Sequence, residues 1–118
     1  MITKFTLTLG TLAGTIGLAS PVLGECNNTP TNRLCDNVQI TQLVTSEDGS
    51  NSIKTSGTYS NLTCTPNPGG YFRIDMTKPY SDALYSHILS AHLQNKAMSV
   101  RLSDNISTCT VVYVYSTN

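Results

Sequence analysis

Charge is scarce in this 118-residue chain: aspartate, glutamate, lysine and arginine make up 12% of it, and tryptophan is missing altogether. Seven basic residues face seven acidic ones with no basic run among them, so there is no electrostatic track for phosphates and nucleic acid is not an expected partner. No stretch after the first two dozen residues approaches the ~18 apolar residues of a membrane helix, and no membrane span is expected in the mature chain. No Cys-x-x-Cys occurs, which removes the usual redox and zinc-ribbon spacings.

Motifs for chemistry are equally thin. The two histidines, His87 and His92, lie five apart, whereas four would stack two metal ligands on one helical face. No Gly-x-Ser-x-Gly elbow accompanies the many serines. Pro68-Gly69-Gly70 precedes a strand pattern rather than opening a helix, so it is a turn and not a phosphate loop. Glu47 and Asp48 are adjacent in a turn, where two carboxylates point apart instead of flanking a glycosidic bond. No catalytic residue, metal site or cofactor is assigned, and the chain is expected not to be an enzyme.

What is present begins with the N-terminus. Met1 to Lys4 carry one positive charge, Phe5 to Ala19 are mostly apolar, and Val22 and Gly24 fit the small-residue positions of a cleavage site. Residues 1–24 therefore read as a signal peptide, leaving 25–118 as one domain that is secreted or periplasmic. A chain of that length has room for a single small core. All four cysteines, Cys26, Cys35, Cys64 and Cys109, fall in the mature part, and an oxidising compartment makes disulfides their expected state. Of the three possible pairings we favour Cys26 with Cys35 and Cys64 with Cys109; the latter closes a loop worth about 4 kcal/mol in the chain-entropy model. Asn-x-Ser/Thr sequons start at Asn27, Asn61 and Asn105 and arise readily by chance in a chain this rich in Asn and Thr.

Along the chain, residues 25–37 read as a loop. Val38 to Val44 is a first strand, Glu47 to Asn51 a turn, and Ser52 to Thr58 the returning strand of a hairpin. Tyr71 to Met76 alternates cleanly, with Phe72, Ile74 and Met76 on one face and Tyr71, Arg73 and Asp75 on the other. A helix is expected from Pro79 to Leu93, stopped by Asn95 in the left-handed region. Met98 to Ser103 and Thr110 to Tyr115 supply the fourth and fifth strands. On the helical wheel Tyr80, Leu84, Ile88 and Ala91 form one apolar stripe and Tyr85, Leu89 and Leu93 a second, which either meets another subunit or lies under the protein's own loops. Three strands, one helix and two strands is the order of an OB-fold, a small β-barrel with one helix, so the predicted class is mainly β and OB-like.

With this order set, Val38-Gln39-Ile40-Thr41-Gln42, Asp82-Ala83-Leu84-Tyr85 and Val100-Arg101-Leu102 resemble the binding subunit of subtilase cytotoxin and related AB5 toxin B subunits, loosely over residues 37–115. The resemblance implies an OB-fold, a ring of five subunits with the helices at the centre, and a sugar-binding face. The serine those subunits use for sugar before the first strand is not matched, since Cys35, Asp36 and Asn37 stand there. The expected function is thus an exported, non-catalytic domain that recognises a glycan or a protein partner. The alternative is a secreted interaction or inhibitor module that binds no glycan. For a sugar, the polar residues near the first strand and hairpin, Asp36, Asn37, Thr41 and Ser50, are the candidate ligands. For an oligomer, Tyr85, Leu89 and Leu93 are the candidate contacts.

Overall fold

A computed structural model describes residues 24–28, 33–103 and 107–116. The signal peptide expected over residues 1–24 lies almost wholly outside them. Six strands and one helix follow in the order β1 (Cys26–Asn28), β2 (Arg33–Thr45), β3 (Asn51–Thr55), β4 (Phe72–Ile74), α1 (Ser81–Leu93), β5 (Ala97–Leu102) and β6 (Val111–Tyr115). The fold is mainly β with one helix, as the strand and helix patterns indicate.

The strands form an open antiparallel sheet in the order β4-β3-β2-β5-β6, with β1 paired to the start of β2. Its outer members approach each other. Arg73 on β4 and Thr110, just before β6, form an isolated parallel bridge, and the Arg73 N–H donates to the Cys109 carbonyl at 2.8 Å. The Cys64–Cys109 disulfide sits beside this meeting point and the Cys26–Cys35 disulfide joins register partners on β1 and β2, so both expected pairings are present.

Alternation builds the core. Val38, Ile40, Ile53, Phe72, Ile74, Met98, Val100, Leu102 and Val111 turn inward from their strands, and Leu84, Ile88 and Ala91 close one side from the helix. Burying aliphatic and aromatic side chains at about 25 cal/mol per Å² is the main term holding so short a chain folded.

Some boundaries differ from expectation. The segment read as a loop over 25–37 contains β1 and the first turn of the β2 ladder, because Arg33, Leu34 and Cys35 pair with Leu102, Arg101 and Val100 of β5. A register shift follows between Cys35 and Val38, where Asn37 takes a positive φ of 54°. Asn adopts that conformation at lower cost than most residues. The helix begins at Ser81 and not at Pro79, since Lys78 and Ser81 are engaged in preceding turns, the Lys78 N–H on Asp75 and the Ser81 N–H on Lys78. Its end matches the sequence: Asn95 has φ 54°, Asn95 N–H reaches the His92 carbonyl and Lys96 N–H the Ala91 carbonyl, the two bonds of a Schellman motif.

Tyr80 does not join the buried helical stripe. It is the N-cap residue and 41% exposed, while Ser81 takes the inward place and donates its hydroxyl to the Met76 carbonyl at 3.2 Å. In the second stripe Tyr85 and Leu89 are half-buried, Tyr85 against the core, and Leu93 is 73% exposed.

Candidate ligand-binding site

The four polar residues singled out in the sequence are not brought together. Asp36 and Asn37 sit at the β2 bulge around Ser99, whose buried hydroxyl donates to Asp36 Oδ1 at 2.7 Å and accepts from the Asn37 N–H at 3.2 Å. These groups therefore hold the bulge. Thr41 occupies a second irregularity of β2, where its hydroxyl donates to the Lys54 carbonyl at 3.1 Å. Ser50 lies in the β2–β3 turn, roughly 26 Å along the strand from Asn37 at the usual rise per residue. Its N–H and hydroxyl both donate to Asp48 Oδ1, at 3.0 and 2.7 Å, which holds the Asp48 carboxyl below its ordinary value of 3.8.

Ser50 nevertheless borders a furrow of three adjoining depressions that runs from this turn across β4 to the helix. The first, about 180 Å³, lies between Asp48 and Ser50 of the turn and Arg73, Asp75 and Thr77 of β4 and its exit. The second, about 350 Å³, is lined by Arg73, Asp75, Lys78, Tyr80, Ser103 and Thr110. The third, about 220 Å³, runs between α1 and β6, with Tyr80, His87 and Tyr113 around a floor that includes Leu84 and Val112.

Each side chain is placed by a local rule. The alternation of β4 buries Phe72 and Ile74 and so turns Arg73 outward. Asp75 follows the strand and accepts the N–H and the hydroxyl of Thr77 at 3.0 and 2.6 Å. Those two bonds, first the hydroxyl and then the N–H, hold its carboxyl below 3.8, with a smaller contribution from Arg73, whose Nη2 lies 3.9 Å from Asp75 Oδ1. Ser103 and Thr110 flank the β5–β6 connection and are tied by the Ser103 N–H to the Thr110 carbonyl at 2.8 Å. Tyr113 on β6 is 49% exposed and stacks with Tyr115 at a centroid distance of 6.3 Å.

The furrow thus offers both signs of charge, several hydroxyls and two exposed phenol rings on a rigid sheet-and-helix frame. Such a surface suits binding of a polar ligand with an apolar face. His87 and His92 do separate things: His87 Nε2 lies 3.2 Å from the Ser116 hydroxyl and His92 Nδ1 2.8 Å from the Ile40 carbonyl.

Residue types alone pointed near strand one and missed Tyr80, Ser103, Thr110 and Tyr113. The available signal was the clean alternation of residues 71–76, which places Arg73 and Asp75 outside, together with a tyrosine count of six in a chain without tryptophan. Searched against models of known protein families and against curated proteins, the sequence matches none.

Proposed function

We propose that this chain is an exported, non-catalytic binding domain of the OB-fold kind, resembling a toxin B subunit, that recognises a glycan or a protein partner through the furrow over β4. Setting β1 aside, the strands run first, second, third, fifth and fourth around the sheet, and the single parallel meeting of β4 with the start of β6 is where an OB barrel closes. Two disulfides suit an oxidising compartment, and among the described residues no helix is long and apolar enough to cross a membrane.

The observation that carries the reading is the furrow centred on Arg73, bordered by two half-exposed tyrosines and fed by the turn and the β4 face. OB folds take oligosaccharides and other ligands on the corresponding strands and loops. The test is a glycan array with the oxidised protein beside affinity capture from the native envelope or medium. Binding to defined glycans supports the glycan form; capture of one specific protein with a blank array supports the interaction-module form. A blank result in both removes the proposal.

The helix favours a further element of this reading, self-association. Leu93 is 73% exposed at the end of the Tyr85, Leu89 and Leu93 stripe, which a ring with central helices would cover. Native mass spectrometry showing a pentamer fits this arrangement, and a monomer at micromolar concentration eliminates it while leaving the furrow untouched.

A further inference from the structure

The two ends of the sheet are finished differently. At one end the outer edge of β4 is taken up by the start of β6, through the Arg73 N–H on the Cys109 carbonyl and the Arg73–Thr110 bridge. At the other end β6 pairs with β5 from Val111 to Tyr115, and among the described residues no strand lies along its outer edge after Thr110. Backbone donors and acceptors on such an edge are a template for another strand. The usual protections are missing. Residues 105–118 contain no Asp, Glu, Lys, Arg or Pro, and the one irregularity of the β5–β6 ladder, between Leu102 and Arg101, falls at the closed end. Side chains along the edge alternate cleanly. Val114 packs on the core, the Ser116 hydroxyl lies 3.2 Å from His87 Nε2, and Val112 and Val114 line the α1–β6 depression of about 220 Å³. At the alternate positions Tyr113 and Tyr115 are exposed and stack on each other.

We propose that this edge pairs with the same edge of a second copy of the chain, antiparallel about a two-fold axis at Val114. An antiparallel strand pair is self-complementary in its backbone bonds, so one edge can serve both copies. An edge without charge also meets itself without like-charge repulsion. Two constraints set the register. The start of β6 is occupied by β4, which confines the contact to residues beyond Val111. Facing residues must lie on the same side of the joined sheet, so their numbers differ by an even amount. Centring on Val114 meets both: Tyr113 faces Tyr115 of the partner subunit, Val112 faces Ser116 of the partner subunit, and Val114 faces its own counterpart. Val112 and Val114 of each copy then close the mouth of the other's α1–β6 depression. A strand pair of this length is a small contact of the transient class, so the dimer is expected at high micromolar concentration. It does not depend on a ring with central helices, because Ala83, Leu84 and His87 border this depression while Leu93 lies at the opposite end of α1. Nor does it depend on what the furrow binds.

The test uses the full chain, exported and oxidised, from micromolar to millimolar concentration, by sedimentation and by NMR on a mixture of labelled and unlabelled protein. A dimer with intermolecular contacts between Tyr113 and Tyr115 is expected, together with slower amide exchange over residues 112–116 as concentration rises. Two double variants at these exposed positions, Tyr113→Lys/Tyr115→Lys and Tyr113→Glu/Tyr115→Glu, leave the core intact. Each alone is expected to pair about tenfold more weakly, the scale of two cross-strand aromatic pairs replaced by like charges. Mixing the two is expected to restore a heterodimer, a rescue that misfolded variants cannot give. A wild type that stays monomeric up to millimolar concentration overturns the proposal. A dimer whose contacts centre on Leu93, or a pentamer that both variants form as readily as wild type, overturns it too and gives self-association to the helix stripe. Slower exchange over 112–116 on adding a Thr-Val repeat peptide, without pairing of the chain itself, assigns the edge to another extended partner and overturns the second copy as its occupant.

Discussion

The middle of the sheet and its seam are built from the same kinds of residue and come out differently. Between β2 and β5 five Cα pairs run in register, broken by one bulge, and the side chains they turn inward are fully buried. Between β4 and β6 the chain makes one bridge, reinforced by a disulfide. A continuous ladder satisfies its own backbone groups and leaves its side chains only packing to do. A single point of contact leaves a gap beside it, and the side chains around that gap, Arg73, Ser103, Thr110 and Tyr80, line a depression instead of a core. The lesson is that exposed polar side chains collect where the hydrogen-bonded ladder stops.

The two disulfides give the sharpest way to break this comparison. Cys26 and Cys35 are nine residues apart and their strands are already paired, whereas Cys64 and Cys109 are 45 apart and hold the seam. In the chain-entropy model the long closure is worth about 4 kcal/mol and the short one about 2.5 kcal/mol. The Cys64→Ala/Cys109→Ala variant should therefore lose more stability in urea unfolding than Cys26→Ala/Cys35→Ala, and should also lose hydrogen-exchange protection first around Arg73 and Cys109. Equal losses, or protection lost first in the β2–β5 ladder, would mean that the seam is no weaker than the middle.

A finer contrast lies in two serine hydroxyls. Ser99, in the β2–β5 ladder, donates to Asp36 and accepts from Asn37, while Ser103 near the seam has no partner among the described residues. Ser99→Ala should cost about 1 kcal/mol, the usual net value of such bonds, and Ser103→Ala close to nothing. Calorimetric midpoints of the two variants decide it. A Ser103→Ala midpoint as low as that of Ser99→Ala would show that the Ser103 hydroxyl supports the fold as much as the paired one does.

The same contrast explains what could be read in advance. The helix stop at Asn95, the β2–β3 turn and the alternation of Phe72, Arg73 and Ile74, the middle of the strand expected over 71–76, depend on neighbours in sequence, and each is present in the structure. The pairing of Cys64 with Cys109, the one favoured among three that the sequence leaves open, is present as well. By contrast, Cys26 to Asn28 and Arg33 to Cys35 lack β-branched residues and periodicity; a disulfide and the β5 ladder, both tertiary, make them strands. The furrow was hidden for a related reason. Arg73 was visible as an outward residue, but only the crossing of β4 past the start of β6 brings Ser103, Thr110 and Tyr80 to it.

The smallest expected effect concerns pH, and it again separates seam from middle. Asp75 at the furrow has a folded pKa below 3.8 because Thr77 donates twice to its carboxylate, so in acid the unfolded chain binds its proton before the folded one does. The stability contributed by this carboxylate is fully present above the unfolded value near 3.8 and is lost as pH falls through the lower folded value. The group is exposed, so the effect is slight in unfolding curves and is better followed by the side-chain carboxyl carbon in an NMR titration. In wild type that carbon should titrate below 3.8; in Thr77→Ala its midpoint should rise toward 3.8, and Ser99→Ala in the ladder should leave it where it was. An Asp75 midpoint unmoved by Thr77→Ala would show that the Thr77 bonds do not fix the carboxylate, and with it the acceptor half of the Arg73–Asp75 pair would lose its support.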